Sequence, residues 1–204
     1  MGKKKHIEDI RLLFEKSPVV SYDSIKRMVK NKGKSGQYAK KMIHYLLSKN
    51  RIKKITKGYY TIRDEASLAV FAFQPAYLGL QDSLSFHDLW EQETIPVIIT
   101  TRKVRQGTRE VLGQNVLIRR IKKKYFFGIK DYLQEGSAFP YSDIEKTFID
   151  MIYFNETLDK NVMGEFLRKI NRKKLKSYLK KYPSRFRKRV ISFLSQIKND
   201  SKQV

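Results

Sequence analysis

Ile7, Ile10, Leu13 and Phe14 recur at helical spacing, and Ser17-Pro18 ends that helix because proline disfavours helical backbone in the residue before it. In VVSYDSIKRMVK, Ser21 is a cap and Ile25, Met28 and Val29 share one face of a second helix. NKGKSGQ then reads as a turn. Ala39, Met42, Ile43, Leu46 and Leu47 fall at i, i+3, i+4, i+7 and i+8, which predicts a third helix from about Ser35 to Lys49. Its other face carries Gln37, Tyr38, Lys40, Lys41, His44 and Tyr45. Beyond Asn50 the period changes: RIKKITKGYYTI predicts two short strands joined at Thr56-Lys57-Gly58, with Gly58 supplying the positive φ of a tight turn. Helix, helix, turn, helix and basic hairpin, in that order, predict a winged helix-turn-helix over residues 1–63.

The middle of the chain reads differently. SLAVFAF is an apolar run that stops before Pro75, and Tyr77, Leu80, Leu84 and Leu89 are expected on a helix face. VIITT after Pro96, VLIRRI (116–121) and KYFFGI (124–129) predict strands. GSAFPYS leads into a helix that Ser142 and Glu145 would open as a capping box, with Ile144, Phe148, Ile149, Ile152 and Tyr153 behind them. Residues 64–158 are therefore expected to form a mixed α+β domain. Residues 159–204 predict basic helices. Val162, Phe166, Leu167 and Ile170 lie on the first; Asn171 caps a second carrying Leu175, Tyr178 and Leu179. After Pro183-Ser184, Phe186, Val190, Phe193, Leu194 and Ile197 form a wide stripe, expected to dock on the protein itself and end in a polar tail, KNDSKQV. The fold class is α+β: an N-terminal winged helix, a mixed middle domain and C-terminal basic helices.

Charge sharpens this division. The 204 residues carry 44 Lys+Arg and 20 Asp+Glu, a formal +24. Residues 1–63 hold 18 basic and 4 acidic side chains, 64–164 hold 12 and 14, and 165–204 hold 14 and 2. Two strongly basic ends repel themselves unless a polyanion neutralises them, which points to nucleic acid. The expected partner is double-stranded DNA. Gln37 suits adenine and Lys40 or Lys41 guanine in a major groove about 12 Å wide. Lys34, Ser35, Tyr38, His44 and Tyr45 flank those positions, and Lys53, Lys54 and Lys57 of the hairpin are expected on phosphates. The helical tail is expected to extend that footprint.

The absence of cysteine excludes a disulfide scaffold, a zinc ribbon and a thiol nucleophile. No apolar run approaches the roughly 20 residues of a membrane span, and MGKKKHIEDI turns charged before any signal-peptide core can form. A cytoplasmic protein without a membrane partner is expected. His6, His44 and His87 sit in three different elements, without metal-ligand spacing. No Gly-rich phosphate loop or GxSxG is present. A non-enzyme without cofactor or metal is expected. Two alternatives stand beside it: a non-catalytic binder of RNA or anionic membrane using the same basic charge, and a Mg²⁺ nuclease built on the carboxylates Glu110, Asp131, Asp143 and Glu145.

Three segments, KGYYTI (57–62), QDSLSFHDL (81–89) and SDIEKTFID (142–150), occur in the order seen in one family. In this the chain resembles the AbiE-type antitoxins and transcriptional regulators of type IV toxin–antitoxin systems. The family has a Gly-Tyr wing turn, a helix built round Ser-Ala-Leu and His-Gly-Leu, and a Glu-Lys/Arg-Thr-Leu-x-Asp helix start. Here Leu84-Ser85 replaces the small residue and Leu, and Asp88 stands for Gly. The resemblance implies a repressor of its own operon that counters a nucleotidyltransferase-type toxin. It also implies that Asp82, Ser83, His87, Glu145, Lys146 and Asp150 belong to the antitoxin domain.

Overall fold

The computed structural model describes residues 2–134, 136–157 and 160–200. The expected boundary at 158/159 and the end of the polar tail, 201–204, lie outside the described residues. The chain forms two compact units. One runs to Phe73 and includes Arg109–Val116; the other comprises Gln74–Thr108 and the chain from Leu117.

In the first unit, α1 (Gly2–Lys16), α2 (Tyr22–Asn31) and α3 (Gly36–Ser48) enclose a core of Ile10, Phe14, Val20, Ile25, Val29, Ala39, Met42, Ile43, Leu46, Ile52 and Tyr60. Each such aliphatic side chain, once buried, contributes roughly 1.5–3 kcal/mol. Ser21 caps α2 by accepting from the Ser24 amide at 3.1 Å, and Ser35 caps α3 by accepting from Tyr38 N–H at 3.4 Å. Lys32 Nζ meets Asp9 Oδ1 at 2.6 Å, tying the end of α2 to α1. Strands β2 (Lys53–Thr56) and β3 (Tyr59–Thr61) form the hairpin, with Gly58 at φ +81°. The sequence pattern does not show β1 (Val20–Ser21), which pairs antiparallel with β3 through Val20↔Tyr60 and gives the order β1-β3-β2. SLAVFAF coils into a 3-10 turn, Ala66–Leu68, and a single turn of helix α4, Ala69–Ala72. The first unit thus continues past the expected boundary at residue 63.

The second sheet contains β4 (Ala76–Leu78), β5 (Val97–Thr100), β6 (Gly107–Val111), β7 (Gln114–Arg120), β8 (Ile129–Gln134) and β9 (Ser137–Ser142), ordered β6-β7-β5-β4-β9-β8. Residues 109–116, the hairpin end of β6 and β7, belong to the first unit. The pairing is mixed: β4 runs antiparallel to β5 and parallel to β9, β5 parallel to β7, and β8 antiparallel to β9. Three expectations change here. Tyr77 lies in β4, and helix α5 begins only at Gln81 and ends at Phe86. Most of KYFFGI is a 3-10 turn, Lys123–Tyr125, and the connection after it, with strand β8 starting only at Ile129. SAFPYS is strand β9 despite its proline.

Helix α6 (Ile144–Phe154) is the centre of this unit: every residue from Glu145 to Ile152 is buried. Its cap is Asp143, which accepts from the Lys146 amide at 2.9 Å. The predicted cap, Ser142, still belongs to β9, so Lys146 takes the third helical position and no Ser–Glu capping box forms. Helices α7 (Lys160–Lys169), α8 (Arg172–Leu179) and α9 (Ser184–Asp200) are not a separate segment. Their Val162, Phe166, Leu175, Leu179 and Val190 share one core with Tyr77, Leu80, Val97, Phe148 and Ile152. Asn171 caps α8 as expected, accepting from the Lys174 amide at 3.1 Å.

Candidate nucleic-acid interface

The interior positions of α3 are fixed by its apolar stripe, so the remaining positions must face outward. Lys34, Ser35, Gln37, Lys40, Lys41, His44 and Tyr45 are exposed, and Tyr38 is half-buried. Tyr45 keeps 42 % of its surface open. Lys40 and His44, one turn apart, line an open groove of about 420 Å³. Lys57 and Gly58 of the β2–β3 turn line it as well, and Ile43, Leu47, Tyr22 and Tyr60 complete its lining. A hydrogen bond at 2.7 Å from Tyr22 N–H to the Gly58 carbonyl anchors the turn to the start of α2. Tyr22 is not among the site residues that the sequence suggests. Its only sequence signal is its place directly after the cap Ser21.

Lys40, Lys41, Lys54 and Lys57 form no ion pair among the described residues. Lys53 differs: it is half-buried and ion-paired with Asp64, so its charge is already compensated within the unit. Exposed ammonium groups without carboxylate partners remain available to phosphate oxygens, where they act as point charges.

The residues singled out in QDSLSFHDL and SDIEKTFID meet a different environment. Lys146 and Asp150 are wholly buried, one helical turn apart, and ion-paired. Tyr77 donates its phenol proton to Asp150 Oδ2 at 2.6 Å, and Lys146 Nζ lies 3.5 Å from the Tyr182 hydroxyl. The Lys146 ammonium also sits 5.3 Å from the Phe127 ring centroid and 5.6 Å from that of Tyr77. Burial pulls the Lys146 pKa down against the attraction of Asp150. It pushes that of Asp150 up against Lys146 and Tyr77, and holds the Tyr77 phenol well above its ordinary range.

The other members are equally committed. Asp143 accepts from Tyr178 Oη at 2.7 Å and Lys174 Nζ at 3.0 Å; Glu145 accepts from Lys174 Nζ at 2.7 Å and Asn171 N–H at 2.8 Å. Burial pulls the Lys174 pKa down, but its hydrogen bonds to Glu145 and Asp143 outweigh that and hold it above the ordinary value. Ser83 donates to the Ser142 carbonyl at 3.0 Å and lies 2.8 Å from Thr147 Oγ1. His87 Nε2 meets the same carbonyl at 2.7 Å, so that nitrogen carries the proton. Asp82 Oδ2 accepts from the Val97 amide at 3.3 Å. These residues knit α5, β9, α6 and α8 together. Among the described residues no three His, Cys, Asp or Glu side chains gather where a metal ion could be held. Asp143 and Glu145, from the nuclease alternative, share Lys174 instead.

No helix among the described residues is long and apolar enough to cross a membrane. No family model matches the chain, and no curated protein matches it. Solved structures do. The RV2827C protein from Mycobacterium tuberculosis superposes with a TM-score of 0.58 over 89% of this chain and 73% of its own, at 12% sequence identity. The class defined is a mixed α+β fold, and the likeness to RV2827C is one of fold.

Proposed function

We propose that the first unit is a winged helix that docks on duplex DNA, and that the chain is a transcriptional repressor of the antitoxin type. In this mechanism α3 enters the major groove, where Gln37, Lys40 and Lys41 meet base edges while Tyr38, His44 and Tyr45 flank them. Lys54 and Lys57 neutralise phosphates beside the groove and fix the register of the helix. Each neutralised phosphate releases counterions, so binding weakens as salt rises. One observation carries this reading: Lys40 and His44 of α3 and Lys57 of the turn line the same open groove.

Control of a nucleotidyltransferase-type toxin is proposed from the ordered motifs at 57–62, 81–89 and 142–150. Because the motif side chains of α5 and α6 are internally bonded, their part in that role is to hold the second unit's shape. Binding is tested by fluorescence anisotropy with duplexes from the chain's own upstream region. Lys40→Gln with Lys57→Gln should weaken binding at least tenfold without lowering the melting temperature. Equal affinity for wild type and variant rejects the mode of docking. Co-expression with a nucleotidyltransferase-like gene adjoining the chain's own tests the antitoxin role: growth restored by the wild type supports it, and growth arrest in both cases rejects it.

A further inference from the structure

The second unit carries its own concentration of unneutralised charge, made by two segments far apart in sequence. Residues 117–130 and 166–199 contain no Asp or Glu. The fold joins them through rings. Tyr125, at the end of the 3-10 turn Lys123–Tyr125, stacks on Tyr182 with centroids 4.2 Å apart and planes 7° apart. Tyr182, between α8 and α9, stacks in turn on Phe186 at 4.8 Å. Lys181 Nζ lies 3.9 Å from the Phe127 centroid, and Lys124 Nζ 5.0 Å from that of Tyr125. Lys123 and Lys124 in the turn, Lys176, Lys180 and Lys181 in and just after the last turn of α8, and Arg185 at the start of α9 are all exposed. None of the six forms an ion pair among the described residues.

Holding several cations together without carboxylates costs self-repulsion, which a polyanion removes. Buried aromatic rings fix the corner, so the charges are presented on a rigid support. A membrane-lying surface needs large apolar side chains at its face to enter the acyl region. Among the described residues the exposed large hydrophobics are Leu12, Tyr45, Ile62, Ile95, Leu133 and Ile191, and neither the turn, the end of α8 nor the start of α9 contributes to them. We propose that the corner formed by the Lys123–Tyr125 turn, the end of α8 and the start of α9 is a second nucleic-acid surface, which grips the phosphate backbone without reading sequence. It goes beyond the docking of α3 and does not depend on it.

The test uses the full chain and a duplex of about 20 base pairs, with affinity followed from roughly 50 to 200 mM salt. Two triple variants are compared: Lys123→Gln, Lys124→Gln, Lys180→Gln in the corner, and Lys40→Gln, Lys41→Gln, Lys57→Gln in the first unit. The corner variant should show a log–log salt slope shallower by about two to three, near 0.9 for each phosphate no longer neutralised, and at least tenfold weaker binding. An unchanged slope and affinity overturn the inference, even if the first-unit variant loses binding. A loss in the corner variant alone sustains it while rejecting the docking of α3. Should the corner variant fail to fold, lysine acetylation of the wild type with and without duplex decides: protection of Lys123, Lys124, Lys180 and Lys181 supports the inference, and equal labelling overturns it. Binding confined to phosphatidylserine vesicles also overturns it.

Discussion

Helices α3 and α6 both carry lysine, and their two uses of that residue are opposite. On α3, Lys40 and Lys41 are exposed and unpaired among the described residues; on α6, Lys146 has no exposed surface and is held by Asp150, Tyr182 and two rings. Helix α3 packs its apolar stripe on the first unit's hydrophobic core, and Lys40 and Lys41 lie outside that core. The second unit has charge inside it, and a buried charge is tolerable only while its partners remain. Unpartnered surface charge is therefore where binding is to be sought, and partnered interior charge is architecture.

The contrast is broken most forcefully at Lys146. Lys146→Met strands the Asp150 carboxylate in the interior and should cost about 3–5 kcal/mol in urea unfolding. Lys41→Gln should change stability by no more than about 0.5 kcal/mol. Equal costs at the two sites would erase the distinction. Gly128→Ala comes next. That residue has φ +69°, and an added Cβ would sit 2.8 Å from Lys146 Cβ and 2.9 Å from Tyr178 Cε2. A left-handed alanine pressed against the cluster should cost about 2 kcal/mol.

A third test is alkaline. Burial first, then the hydrogen bond to Asp143, pushes the Tyr178 pKa up to about 12, and burial raises those of Tyr77 and Tyr182. Unfolded phenols ionise near 10, so above that pH the folded state binds more protons than the unfolded one. Stability from these groups is complete below pH 10 and is lost as pH rises through the folded values. The melting temperature should fall from about pH 10 upward, less steeply in Tyr178→Phe; a flat profile would contradict the burial of these phenols. A smaller loss than at Lys146 or Gly128 is expected at the caps. Ser21→Ala should cost about 1 kcal/mol, and Ser35→Ala less, since its bond is the longer, 3.4 Å against 3.1 Å.

Legibility from sequence divides along the same line. Helices α1 to α3 are legible because each buries one clean stripe on local partners. Strand β1 is not: two residues, Val20 and Ser21, become a strand only by pairing with Tyr60 and Tyr59 some forty positions on. Tyr77 fits a helical period with Leu80 and Leu84, but β5 and β9 flank its segment and make it a strand. Pro140 argues against a strand, yet β9 forms in register with β8, Pro140 opposite Asp131. Ser142 and Asp143 are both good caps, and only the extent of β9 decides between them. The exposed residues of α3 could be assigned from periodicity alone, whereas the Lys53–Asp64 pair and the groove wall at Gly58 depend on how the hairpin closes. The bonds of Asp82, Ser83, His87 and Glu145 reach to other elements that no local spacing specifies.

The most direct measurement of the central claim is a backbone amide chemical-shift titration of the full chain with duplex DNA from its own upstream region. Shifts concentrated in 35–45 and 54–59, with the amides of 143–150 unmoved, are the result expected. Shifts centred on 143–150, with α3 and the β2–β3 turn silent, would contradict it.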